Sequence, residues 1–590
     1  MITTHRLPEE AFAALASGGG DAEVIRHLRA AQLSKQMMLL HVLAESASGD
    51  RTDPAAVAFT MARRLLATVQ AADPSAFAWA LGLPHLGAWV HDCLAHLERG
   101  MPPDLGYLAA AAVAAAVRAG VQFELDVPVR DGRVLLPGLG SFRVTDRQPW
   151  VRMRGDGESV TVGAHAQVPY AALRPDDGSG AQVRHWQGTL AVRAVAEGQT
   201  WDVLLETADQ YLDRFTLAMP AAMTPDEAAS WRQHVQSAWQ VLVRQHGWAA
   251  GPIAAGVSVI VPLIPRGDGD LDSATTPAAF GAIATSPPPS PVIMAETLVH
   301  EFQHLKLCGL MDMLPLIEHC DDQVYAPWRQ DPRPVGGLLQ GVYAYLGVVR
   351  FWNVQRHVET EPEKIFSAQV TYGRWRRAIE PATGILLGAD CLTGIGVRFV
   401  ELLRDQGRSL ESEPVPADAS AIAAEVALDH KLTWQLRHSA IDAGVTADLA
   451  AAYRRGEPLG DQKLPRVRIE EETRKVDSTT RSRMLSMRYL DPGRYRALCR
   501  NGLPGFSRAD ALLVTGQTTP AAQAYRDEIA GTTEPRPEAW TGLALAMHRL
   551  APTPLRQAFA TRLPIMFDVH ACLCRQGILG DPLDLAAWFA

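Results

Sequence analysis

The spacing of the apolar residues changes twice along this chain, and that change constrains its fold class. Through residues 1–122, apolar side chains recur at intervals of three and four. GDAEVIRHLRAAQLSKQMMLLHVLAESA and DPAAVAFTMARRLLATVQAA both show the pattern, which marks one face of a helix. Pro54 stands near the start of the second run, where a helix tolerates it. From about 123 to 215 the period falls to two. VQFELDVPVRDGRVLLPGLGSFRVT, ESVTVGA and GTLAVRAVAEGQTWDVLLET alternate, are rich in β-branched residues and are broken by DG and PGLG turns. That texture predicts a mostly antiparallel sheet. Helical spacing returns in TPDEAASWRQHVQSAWQVLVRQHG, where Thr224 and Glu227 have the spacing of a capping box. The expected class is α+β and predominantly helical, with a small antiparallel sheet domain ahead of the central helices.

At 590 residues the chain exceeds what one core can organise. The expected segments are a helical region over 1–122, a β-rich domain with a following helix over 123–265, a helical region over 266–410, a helical and Arg-rich region over 411–505, and C-terminal helices over 506–590. GVSVIVPLIP is a buried-strand candidate. Residues 266–291, rich in Gly, Ser, Thr and Pro, are expected to form a loop. Their GDGDLD run lacks the downstream Glu of a calcium loop and is expected to be solvated. The charged stretch 464–500 is expected to present a solvated face. In 507–550, Gly516, Ala521, Ala524, Tyr525, Pro537, Trp540, Leu543 and Ala544 fit one tetratricopeptide-like helical pair, expected to cap the body.

Net charge is −9, with both signs interspersed, which argues against a nucleic-acid surface. YLAAAAVAAAVRAG is too short to span a bilayer and reads as a buried helix. The N-terminal stretch lacks the basic and apolar regions of a secretory signal. Seven cysteines form no paired framework, so a reducing, cytoplasmic setting is expected, and CLC at 572–574 reads as core packing.

Chemistry concentrates at HEFQH, residues 300–304. On a helix, positions i and i+4 lie one turn apart on the same face, so His300 and His304 can converge on one cation. Glu301 then projects beside it, where a carboxylate can polarise a metal-bound water. The alternative is a pair of hydrogen-bonded core histidines. Neither common zinc-peptidase completion is present. The next helix carries no acid, offering Gln340, Tyr343 and Tyr345, and the position six residues after the second histidine is Leu310. Glu318, His319, Asp321 and Asp322 in the following loop are further ligand candidates that spacing does not separate.

Two histidines with a third ligand also suit Fe(II), leaving open positions for a 2-oxo acid and O2. The cosubstrate's far carboxylate is best held by arginine's fork of donors. The loop YAPWRQDPRP offers Arg329 and Arg333, flanked by Tyr325 and Trp328. The plainer alternative pairs those arginines with Asp331 or solvent.

LVHEFQHLKLCGLMDMLPL followed by YAPWRQDPRPVGGLLQGVYAYLGVVRFW resembles the HExxH-motif peptide-modification proteins of ribosomal-peptide (RiPP) gene clusters. The opening segment, SATTPAAFGAIATSPPPSP and the tetratricopeptide-like tail fit the same architecture. The resemblance implies an Fe(II)- and 2-oxoglutarate-dependent peptide β-hydroxylase, with O2 as oxidant and a ribosomal precursor peptide as partner. It implies His300 and His304 as iron ligands, and the loop with Tyr325, Arg329 and Arg333 at the cosubstrate. Relatives carry His in the second helix at positions matching Gln340 or Tyr345; this chain has neither His, and Gln340, Glu318 or another group is the candidate third ligand. The rival readings are a zinc metallopeptidase with Glu301 as general base, and a helical adaptor with a structural metal.

Overall fold

The computed structural model describes residues 5–590 apart from 47–51, 145–147, 165–166, 177–184, 213–222, 267–270, 460–463, 465–466 and 504. The chain divides into two compact units, Met1–Pro315 and Leu316–Ala590. The division follows Pro315, inside the segment expected to run from 266 to 410.

In the first unit, helices Ala22–Ser46, Pro54–Ala72, Pro84–Glu98 and Tyr107–Ala119 precede the strands. Asp53 caps the second by accepting from Ala55 N–H. The alanine-rich helix is buried from Tyr107 to Val117 and stops at Gly120, whose φ of 66° is the left-handed conformation that ends helices cheaply. It shares a core with the strands that follow: Val113, Leu125, Val134 and Met153 lie in one apolar cluster.

Phe123–Pro128, Trp150–Gly155, Ser159–Val162 and Val168–Pro169 form an antiparallel sheet, as the alternation predicts. A second sheet is mixed. Its strands are β1 (Leu190–Ala196), β2 (Gln199–Leu205), β3 (Val259–Pro262), β4 (Ser273–Ala274) and β5 (Ala282–Thr285), in spatial order β4-β5-β3-β2-β1. β3 is parallel to both neighbours, with Val259 opposite Leu204 and Ala282. Every residue of β3 and β5 is buried, as central parallel strands require. Here the structure corrects the loop expected over 266–291: it holds β4 at Ser273–Ala274 and β5 at Ala282–Thr285. AIAT is too short to stand out by itself, and its strand forms because VIVP pairs with it. Residues 267–270 of GDGDLD lie outside the described residues. Asp272 is buried and paired with Arg266. Thr224 and Glu227 form the expected capping box on helix Pro225–Gln245.

From β5 the chain passes through Ser286–Ser290 into the motif helix, Pro291–Met311. Ser290 Oγ accepts from Ile293 N–H at 3.2 Å, and Pro291 occupies the first turn, where its missing N–H costs nothing.

The second unit is predominantly helical. Helices Val335–Val358, Pro362–Leu387, Gly394–Glu411 and Ala417–His438 precede the tail helices Arg508–Val514, Thr518–Ala530, Pro537–Leu550, Thr553–Arg575 and Pro582–Trp588. The Arg-rich stretch is not simply a solvated face. Arg481 is 1% exposed and donates to Asp429, Asp510, the Glu538 carbonyl and Thr541. No described helix is long and apolar enough to cross a membrane.

Candidate metal centre

Most of the motif helix is buried, including Leu298, Val299, Phe302, Leu305 and Leu307. Between Met294 and Leu310 the half-buried residues are Glu296, His300, His304 and Cys308, which are spaced four apart and form one stripe. The stripe follows from helical periodicity, and it places both histidines on the same, less enclosed edge of the helix.

The two imidazole centroids lie 4.9 Å apart with ring planes at 77°. A ring centre lies about 1.1 Å behind its nitrogen, so two histidines binding one cation at usual distances place their centres roughly 4.5–5.3 Å apart. The observed pair fits that requirement. Burial, followed by the neighbouring His304, pushes the His300 pKa down to about 3. That imidazole is therefore neutral at physiological pH, the form that binds metals.

Glu301, next to His300 in the chain, is 3% exposed. Ser273 Oγ donates to Glu301 Oε1 at 2.7 Å, and Thr275 also bonds its carboxyl. Burial pushes the Glu301 pKa above its ordinary value, while His304, Ser273 and Thr275 pull it back. Ser273 reaches the helix because β4 folds back antiparallel on β5, pairing Ser273 with Thr285 just before the helix begins. The sequence reading missed Ser273 because it treated this segment as loop. Another side of the helix is tied to the N-terminal glycines: Lys306 Nζ donates to the carbonyls of Gly18 at 3.0 Å and Gly19 at 2.7 Å. Asp312, just past the helix, accepts from Gln32 at 2.8 Å and Lys35 at 2.9 Å. These contacts hold the helix in a fixed rotation.

Among the described residues, no three His, Cys, Asp or Glu side chains gather as a metal-holding group. Glu318, His319, Asp321 and Asp322 belong to the second unit and are exposed, His319 being 3.6 Å from Asp321. Gln340 lies on helix Val335–Val358, also in the second unit.

Within that unit the YAPWRQDPRP loop is firmly seated. Tyr325 Oη is 3.0 Å from His430 Nδ1, and its ring meets Trp434 at 4.9 Å. Trp328 stacks on Tyr345 at 4.7 Å and 15°, directly over Gly341, and Tyr345 continues onto Trp375 at 4.5 Å. His438 Nε2 donates to the Gln330 carbonyl at 2.6 Å. Arg329 and Arg333 bracket Asp331, each with one bond of 3.0 Å. Burial pushes the Asp331 carboxyl up, but the two arginines outweigh it and hold its pKa below the ordinary value. The plainer reading of these arginines is thus present, yet both guanidinium groups are exposed, 51% and 37%. Their other N–H groups can donate to a second carboxylate.

No protein-family model matches the chain, and no curated protein matches it.

Proposed function

We propose that the chain is an Fe(II)- and 2-oxoglutarate-dependent hydroxylase acting on Cβ of a residue in a ribosomally synthesised precursor peptide. The observation that carries the reading is the His300–His304 pair, at chelating separation on the half-open stripe of a buried helix. The two imidazoles would hold the iron. Arg329 or Arg333 holds the distal carboxylate of 2-oxoglutarate, and Tyr325 stiffens the loop through His430 and Trp434. Bound iron supplies activation of O2 coupled to decarboxylation of the oxo acid. Glu301, held by Ser273, fixes the rotation of the ligand-bearing turn and takes no proton from substrate. The chain works in the cytoplasm, where its thiols stay reduced.

One observation favours a second reading. Glu301 lies beside the histidine pair, buried and with its pKa raised, as a general base in a zinc peptidase requires. One experiment separates the two. The protein is reconstituted anaerobically with Fe(II) and 2-oxoglutarate, exposed to air with the clustered precursor peptide, and assayed for succinate and for a peptide heavier by one oxygen. Both products are expected. Cleavage of the peptide by the zinc-loaded protein, with no succinate from the iron-loaded one, establishes the peptidase instead.

A further inference from the structure

In the second unit, residues Leu316–Glu318 run antiparallel to Cys391–Thr393. Glu318 N–H donates to the Cys391 carbonyl at 2.8 Å, Thr393 N–H donates to the Leu316 carbonyl at 3.1 Å, and Ile317 lies opposite Leu392. The match is tight: a Cβ on Gly396 would come within 1.9 Å of the Leu316 carbonyl oxygen. Glu318 lies opposite Cys391 in this bridge, so Cys320, two residues beyond Glu318, comes to the neighbourhood of Cys391 on the same side.

Four other cysteines have different neighbours. Cys93 donates to the Asp104 carbonyl, Cys499 lies near Tyr495, Cys572 accepts from Gln576, and Cys574 contacts His570. The two thiols of the bridge also differ in access, Cys391 being buried and Cys320 half-buried.

We propose that Cys320 and Cys391 are a redox-responsive pair that closes into a reversible disulfide by exchange with a low-molecular-weight disulfide such as oxidised glutathione. The proposal is independent of the reaction assigned to the protein. Cys320, the accessible partner, loses its proton and attacks one glutathione sulfur. The glutathione S–S bond breaks, and one glutathione leaves as thiolate and takes up a proton. Cys391 then gives up its proton and attacks Cys320 Sγ, displacing the second glutathione, which is protonated in turn. Two protein thiols become one disulfide, and one oxidised glutathione becomes two thiols. Burial, with Cys320 and Asp322 nearby, pushes the Cys391 thiol up to about 11, which suits the resolving partner better than the attacking one. The bond ties the segment leading into the arginine loop to the approach of helix Gly394–Glu411. Disulfides of this kind in reducing compartments are transient and sensory rather than structural.

The test is to incubate the full-length protein with oxidised glutathione, quench, denature, alkylate and map the peptides. The expected result is a Cys320–Cys391 cross-linked peptide, lighter by two hydrogens and lost on reduction, with the other five of the seven cysteines alkylated. Cys391→Ser should accumulate a glutathione adduct on Cys320, and Cys320→Ser should leave Cys391 alkylated. The proposal is overturned if wild-type Cys320 and Cys391 are both alkylated, if either retains glutathione, or if the cross-link forms only in denaturant. A wild-type cross-link without the adduct in Cys391→Ser overturns the order of attack.

Discussion

The Ser273 hydroxyl and the Glu301 carboxylate meet at 2.7 Å, joining the edge strand of the mixed sheet to the middle of the motif helix. This contact makes the HExxH turn a part of the sheet and not a free helix face. Ser273→Ala removes a donor from a buried carboxylate and should cost about 1–3 kcal/mol in urea unfolding, with Ser273→Thr restoring most of it. An unchanged unfolding midpoint for the alanine variant shows that Thr275 satisfies Glu301 alone.

His300→Ala and His304→Ala should each abolish tight Fe(II) or Co(II) binding by calorimetry, while the far-ultraviolet circular dichroism stays that of wild type. A site with few protein ligands loses its cation when one is removed, whereas packing of the buried stripe-free side of the helix persists. A variant with wild-type affinity places the cation elsewhere.

Arg329→Lys should raise the 2-oxoglutarate concentration needed for half-maximal succinate release about tenfold, because a point charge loses one of two parallel bonds. Iron affinity should be unaffected. If Arg329→Lys and Arg333→Lys both leave the cosubstrate requirement unchanged, the loop is structural and its arginines serve Asp331.

Gly341 lies beneath Trp328, where an added Cβ would fall 2.3 Å from the indole nitrogen. Gly341→Ala should therefore unseat the YAPWRQDPRP loop and speed trypsin cleavage after Arg329 in the native protein. Equal cleavage rates in variant and wild type indicate that the tryptophan moves aside without releasing the loop.

His85 and Glu206 form a fully enclosed pair in the first unit, Nε2 to Oε2 3.1 Å. Tyr107 donates to the adjacent Asp209 at 2.6 Å. Burial pushes the His85 pKa down, but Glu206 and Asp209 outweigh it and leave it above the ordinary 6.5. Burial pushes Glu206 up, but His85 outweighs it and leaves it below 4.5. The histidine contribution is therefore complete below 6.5 and lost as pH rises through its raised value, while the Glu206 contribution is complete above 4.5 and lost as pH falls through its lowered value. Asp209, raised by burial, adds a loss of the same sign that sets in as pH rises from 3.8 through its raised value. His85→Gln should cost about 3–5 kcal/mol near pH 6 and progressively less in alkaline solution, measured by urea unfolding. A cost independent of pH shows the pair to be uncharged.

What could be read from the chain alone was local. The i, i+4 spacing of His300 and His304, the Thr224–Glu227 capping box, the enclosed alanine helix and the alternating strands after 123 each depend on residues a few positions apart, so period and turn chemistry suffice to find them. The predominantly helical α+β class followed from their sum. Tertiary structure decided what depends on distant partners. Ser273–Ala274 and AIAT become strands because VIVP lies beside AIAT, and Ser273 reaches Glu301 through that pairing. Tyr325 is seated by His430, and Arg481 is buried because Asp429, Asp510 and Thr541 surround it. No local pattern marks such residues, because the free energy that orders them comes from groups the chain brings together only on folding.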